Sequence, residues 1–297
     1  MSRTRRSPGS RILRGLSHAV VWLYAAVLAI PLYYLVVSSF KDNNQIFLKP
    51  FNLPAREMFV TRPGNYREFE TVGFQNYQEA WDFVFLDQAL INSALITAVA
   101  ITITLALAIP ASYALARSES KVVIWMERYF SIGLLIPGFA ALVPTVLLAI
   151  ELGLFQTRTF LMIVYPAGAL PLSVILLTQF MRTTPRELEE SAVIDGASQW
   201  QVLRHVYLPL ARPGVAAVVI LNFVGFWNEF LYALVITGLN KSVRTIQVAI
   251  PGLIREGLTE FGVLAAGTVI SIIPVYVLYI LLNRQMESAL TEGAVKG

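Results

Sequence analysis

Covalent chemistry has few residues to work with in this chain. Cysteine is absent, and the two histidines, His18 and His205, lie far apart. Thiol nucleophiles, zinc-thiolate sites and disulfides are therefore excluded, and a histidine-based metal or catalytic cluster is not expected. No Gly-x-x-x-x-Gly-Lys-Ser/Thr loop occurs, so nothing here cradles nucleotide phosphates in the P-loop manner. No catalytic residue, bound cofactor or metal is expected. The polar residues that do form a pattern lie in 184–210, and their chemistry is that of a docking surface.

That stretch reads as two short helices joined by a turn. Thr184 is placed to cap the first, with Pro185 at its first helical position and Glu187 closing a Thr-x-x-Glu capping box. Asp195 and Gly196 end it, because glycine takes the left-handed conformation at little steric cost. Ser198 caps the second helix, on which Trp200, Leu203, Val206 and Tyr207 form one apolar edge until Pro209 stops it. On the first helix Leu188 and Ala192 share a face beside Ser191 and Val193, while Glu187, Glu189 and Glu190 supply charge. A helix of small apolar residues rimmed by carboxylates suits a groove in another protein. The same pattern also fits an amphipathic loop lying on a bilayer surface.

A second polar group sits in an apolar stretch: Glu229, beside Trp227 and Asn228, with Asn222 next in order. A carboxylate within a membrane span faces protein or a watery cavity. Glu229 falls about 15 residues into its span, roughly 22 Å at 1.5 Å per residue. A structural hydrogen-bond network and a place on a solute pathway are both open for Asn222, Asn228 and Glu229. Aromatic residues such as Trp22, Tyr33 and Tyr165 are ordinary at membrane interfaces and are not assigned as sites.

The elements that carry these residues are set by composition. Of 297 residues 56% are hydrophobic and 14% charged, with a mean hydropathy of +0.62, which points to a bilayer as solvent. A spanning helix needs about 20 mostly apolar residues. Six stretches qualify, at 17–40, 88–115, 129–150, 160–181, 214–237 and 262–282, giving an all-α membrane protein with a cytoplasmic segment between the fourth and fifth spans. Pro166, Pro171 and Pro274 are expected to interrupt the fourth and sixth. The first span is too long for a secretory h-region and is read as an uncleaved anchor.

Fourteen Lys and Arg residues fall on the side of the termini, among them Arg5, Arg14, Arg117, Arg128, Arg182 and Arg204, against nine on the other, including Lys41, Arg56, Arg158 and Arg244. Basic residues favour the cytoplasmic side, so both termini are placed there. This divides the chain into an N-terminal segment 1–16, a membrane domain 17–282 with an external loop 41–87 and a cytoplasmic loop 182–213, and a tail 283–297. The net charge of +4 is spread over loops and forms no stripe, which argues against nucleic acid.

Glu190-Ser-Ala192, Asp195-Gly196-Ala197 and Leu208-Pro209 closely resemble the EAA signature of ABC importer permeases, with Ser191 in place of the first alanine. Over nearly the whole chain the sequence is similar to sugar-importer permeases of the maltose type. The matching pieces are Asn92-Ser93, Ala111-Ser-Tyr-Ala-Leu-Ala-Arg117, Leu152-Gly-Leu154, Trp227-Asn228-Glu229-Phe230 and the terminal Gly293-Ala-Val-Lys-Gly297. The resemblance implies that Glu190, Ser191, Ala192, Asp195, Gly196 and Ala197 form a coupling helix seated in a separate ATPase. It also implies two ATPase subunits that hydrolyse ATP, a second homologous permease, an extracytoplasmic solute-binding protein and a disaccharide or oligosaccharide as the transported sugar. Glycerol phosphate, amino sugars and polyols are carried by similar permeases. A secondary carrier would call for deeper charges and an internal repeat, and a membrane enzyme for convergent acid, base or metal ligands; the sequence offers neither.

Overall fold

The computed structural model describes residues 8–54, 74–118, 120–238, 240–254 and 259–294. Much of the expected external loop, the first residues of the N-terminal segment and the final Val295, Lys296 and Gly297 lie outside them. Among the described residues the secondary structure is helical, with no strand. The chain divides into two compact units, one from 1–83 with 252–270 and the other from 84–251 with 271–297.

In the first unit, α1 (Pro8–Ser38) is followed by α2 (Asn43–Leu48) and α3 (Gln75–Phe83). Asp42 caps α2 by accepting from Gln45 N at 2.7 Å. Asn76 donates to the carbonyls of Ser39 and Lys41, and buried Lys41 donates through Nζ to those of Lys49 and Pro50. These bonds satisfy the carbonyls left over where helices end. Asn43 does the same for the start of the long C-terminal helix Phe261–Ala294, accepting from Phe261 N at 2.9 Å. The apolar side chains of α1 are exposed along most of the helix, as suits a segment solvated by lipid.

The second unit is built on α4 (Leu86–Arg117) and α7 (Arg158–Arg182). Ala100 and Ala108 are fully buried on α4, and small residues let helix backbones approach closely. Ser112 Oγ donates across to Val174 O at 3.0 Å, beside a core of Ala108, Leu115, Val174, Leu177 and Val218. Between these helices lie α5 (Lys121–Gly133) and α6 (Gly138–Glu151). After α7 come α8 (Arg186–Ile194), α9 (Gln199–Val202), a π-helical turn Leu203–Tyr207, α10 (Leu208–Leu210), α11 (Arg212–Trp227), α12 (Leu231–Thr237) and α13 (Ile246–Ala249). The helix Phe261–Ala294 becomes α14.

Among the described residues four helices are long and apolar enough to cross a membrane: Gly15–Ser38, Leu86–Arg117, Arg158–Arg182 and Phe261–Leu282. They match the first, second, fourth and sixth expected spans. The other two are broken. The third falls on α5 and α6, bent by 96° at the turn ending in Pro137, which has no N–H to continue the ladder. The fifth falls on α11 and α12, interrupted at Asn228. A further bend of 76° separates the segment Gln199–Leu210 from α11. The prolines expected to interrupt spans do not: Pro166 and Pro171 lie inside a continuous α7, and Pro274 inside α14.

Candidate functional site

The segment after α7 folds as two short helices about a glycine turn, as its sequence predicts. Gly196 has φ of +86°, and the two amides beyond the helix turn back on it: Gly196 N donates to Val193 O and Ala197 N to Ala192 O, each at 2.9 Å. This paired closure consumes carbonyls that a helix end would leave free. A Cβ on Gly196 would meet nothing within 4 Å, so the requirement for glycine is conformational and owes nothing to crowding.

Capping differs from expectation at the first helix and agrees at the second. Pro185 is the N-terminal flanking residue of α8 and provides no side-chain cap, while Thr184 is buried; the box expected from Thr184 and Glu187 does not form. The box forms at Ser198 instead, whose Oγ accepts from Gln201 N at 3.4 Å while Gln201 Oε1 accepts from Ser198 N at 2.8 Å. The expected apolar edge is also adjusted. Val202, Leu203 and Tyr207 are buried and pack with Met181 and Ala211, whereas Trp200 is 64% exposed. Pro209 does not stop the helix, which continues to Leu210.

What α8 presents outward is apolar and acidic together. Leu188, Val193 and Ile194 are exposed, Ile194 by 85%, and Glu187, Glu190, Ser191, Asp195 and Gly196 are exposed around them. Ala192 and Ala197 are half-buried against the inner cluster. The six sequence-assigned residues thus lie together on one helix and its closing turn.

Glu189, expected among the rim charges, turns inward. Its carboxylate pairs with Arg117 at the end of α4, and Oε2 accepts from Tyr207 Oη at 3.0 Å. Tyr113 Oη lies 3.3 Å from Oε1 and donates to Gln199 Oε1 at 2.6 Å. The Tyr207 ring packs edge-on against Tyr113, 4.9 Å between centroids, with the Arg117 guanidinium 5.4 Å over it. Nearby, Arg182 at the end of α7 holds Glu127 of α5 through two bonds of 2.9 Å. The signal for Glu189 lay in its position: on a helix, 189 and 192 share the side that carries Ala192 into the inner cluster, and 190 does not.

The three polar residues assigned to a pathway are not gathered into one site. Asn222 is buried and donates to Ser173 Oγ at 3.1 Å. Glu229 lies in the break before α12, where Oε1 accepts from Tyr232 N and Oε2 from Ala233 N and Tyr165 Oη, at 2.8, 2.9 and 2.9 Å. Asn228 is exposed, donating to Val224 O and accepting from Gln247 Nε2. No group of three or more His, Cys, Asp or Glu residues able to hold a metal is present among the described residues.

Relatives are found at the level of both sequence and fold. The chain is 31% identical over 287 residues to the diacetylchitobiose uptake system permease protein NgcG of Streptomyces coelicolor, covering 96% of this chain and 90% of that protein. It is 35% identical over 234 residues to the trehalose transport system permease protein SugB of Mycobacterium tuberculosis, covering 76% and 83%. One chain of a bacterial ABC transporter involved in the import of the acidic polysaccharide alginate shares its fold, with a TM-score of 0.77 over 95% of this chain and 99% of that one at 20% identity. The model of binding-protein-dependent transport system inner membrane components matches residues 108–291, a stretch that contains α8 and the Gly196 turn. By that match, and by the length shared with NgcG, this chain belongs to the family of binding-protein-dependent transport system inner membrane components.

Proposed function

We propose that the chain is one of two permease subunits of an ABC importer for a disaccharide or oligosaccharide, and that α8 is the surface on which a separate ATPase takes hold. The observation that carries this is α8 itself: a nine-residue helix whose outer side exposes Leu188, Val193 and Ile194 among Glu187, Glu190 and Asp195. Apolar residues left in the open beside carboxylates fit a groove lined with apolar and basic groups. The sugar class rests on relatives whose names specify diacetylchitobiose and trehalose uptake.

In this reading α5 with α6, and α11 with α12, each make one span, so six spans cross the bilayer and both termini lie in the cytoplasm. Residues 1–16 and 283–297 flank a membrane domain over 17–282, the loop 41–87 faces outward toward a solute-binding protein, and the loop 182–213 faces the cytosol. A second, homologous permease completes the pathway, and two ATPase subunits hydrolyse the ATP. Because the ATPase favours one arrangement of its own dimer when ATP is bound, it shifts the permease only by binding its inward-open and outward-open states unequally. Of the three pathway residues, Asn228 is the exposed one, its amide held by Val224 O and Gln247, while Asn222 and Glu229 are engaged by Ser173 and Tyr165.

Co-purification tests the docking surface. Glu190→Lys reverses a charge on the exposed side of α8 and is expected to weaken retention of the ATPase in detergent pull-downs. Undiminished retention removes Glu190 from the surface.

A further inference from the structure

The docking helix would be a poor lever if it were tied to the membrane domain only by its two flanking turns. At its start Pro185 supplies no side-chain cap, and at its end the chain reverses at Gly196. Nine residues cannot sustain a helix by themselves, so its orientation depends on side chains that reach other elements. Glu189 is the residue that does so, with three partners at once.

We infer that Glu189 is a positioning residue that locks α8 to the end of α4 through Arg117, Tyr113 and Tyr207, so that displacement of the docking helix is passed directly to a spanning helix. The inference rests on the docking reading above and deepens it. Three observations support it. The Glu189 and Arg117 side chains are only 13% and 16% exposed, so the pair is sheltered from the solvent that makes surface ion pairs weak. The Tyr207 hydroxyl donates to Oε2, the same oxygen that pairs with Arg117, and its ring fills the space between Tyr113 and the guanidinium. The partners come from different elements, α4 and the π-helical turn, so α8 is held from two directions.

Tyr113 has one hydroxyl hydrogen and two acceptors near it, Gln199 Oε1 and Glu189 Oε1. Turning the Gln199 amide end for end satisfies both: its NH2 then donates to Tyr113 Oη, which donates to Glu189. Gln199 opens α9, so the same cluster also fixes the helix beyond the glycine turn. Arg117 Nε, buried and without an acceptor of its own, is held by the pairing of Nη2 with Glu189. None of these groups is on the exposed side of α8, which leaves the docking residues unaltered when the lock is removed.

The absence of cysteine makes the test clean. In nanodiscs, the full chain with Glu189→Gln is expected to show amide exchange across α8 roughly tenfold faster than the unaltered chain, about 1.4 kcal/mol of local stability. Tyr207→Phe, which removes only a hydroxyl, gives a smaller change of the same sign. The exchanged pair Glu189→Arg with Arg117→Glu recovers part of the protection, and Glu151→Gln at the end of α6 leaves α8 unchanged. Spin labels on Leu107→Cys of α4 and Arg186→Cys at the start of α8, a position outside the docking residues, then read the coupling in the complex with its ATPase. With ATP and vanadate, the inter-label distance stays constant when Glu189 is present and shifts or broadens in Glu189→Gln, while ATPase retention is unaltered.

Exchange at the unaltered rate in Glu189→Gln, or equal label distances in both proteins on trapping, overturns the inference. Loss of ATPase retention in Glu189→Gln also overturns it, since the residue would then belong to the docking surface itself. Should the unaltered chain retain no ATPase, the docking reading fails and the exchange measurement alone decides the lock.

Discussion

Tyr165 of α7 donates its hydroxyl hydrogen to Glu229 Oε2 at 2.9 Å, across the break that separates α11 from α12. The same carboxylate accepts two backbone N–H groups at the start of α12. A helix start leaves such groups without partners, and water is scarce inside a bilayer. The break is therefore held open by a side chain from within the fifth expected span and braced by a neighbour from the fourth.

Glu229→Ala removes the acceptor from three donors together. Each buried group left unsatisfied costs about 1–3 kcal/mol, so a marked fall in thermal midpoint is expected in detergent. Glu229→Gln retains an amide oxygen and falls less, and Tyr165→Phe, which orphans no donor, least. Equal midpoints for all three variants would show that the bonds to Glu229 are not what holds α12.

At Gly196 the expected effect follows from backbone alone. With φ of +86° and open space around the missing Cβ, Gly196→Asn is tolerated and Gly196→Val is not, since β-branched residues strongly resist this region. Strain of the order of 1–3 kcal/mol would turn α8 away from its setting. The check is ATPase stimulation by the loaded transporter, preserved in the first variant and lost in the second.

Capping supplies a local contrast. Ser198→Ala deletes the observed box before α9 and is expected to cost about 0.5–2 kcal/mol, visible as faster amide exchange at 199–203. Glu187→Ala leaves exchange at the start of α8 unchanged, because no box joins Glu187 to Thr184.

Much of this arrangement was legible in the residues themselves. Long apolar runs marked α1, α4, α7 and α14 because length and hydropathy are properties of a segment by itself. The Asp195-Gly196 closure and the Ser198 cap were legible for the same reason: each is a bond between near neighbours. What was not legible depended on partners far along the chain. Thr184 and Ser198 both precede a residue able to complete a box, but Ser198 flanks its helix directly, whereas Pro185 takes that place in α8 and Thr184 is buried. Glu189 and Glu190 are adjacent and chemically identical, yet one faces Arg117, 72 positions away, and the other faces outward. The 96° bend between α5 and α6 is not legible because apolar composition continues through it, while Pro166, Pro171 and Pro274 lie in helices that remain whole. A helix packed on its neighbours tolerates a lost backbone bond, and hydropathy does not register that support.

The central claim is that α8 faces the cytosol and is covered by an ATPase. Ile194, 85% exposed on that helix, is the place to ask. In sealed membrane vesicles of known orientation, Ile194→Cys should react with a membrane-impermeant maleimide only when the cytoplasmic face is accessible, and the bound ATPase should block that reaction. Labelling from the opposite face, or labelling indifferent to the ATPase, would contradict the account.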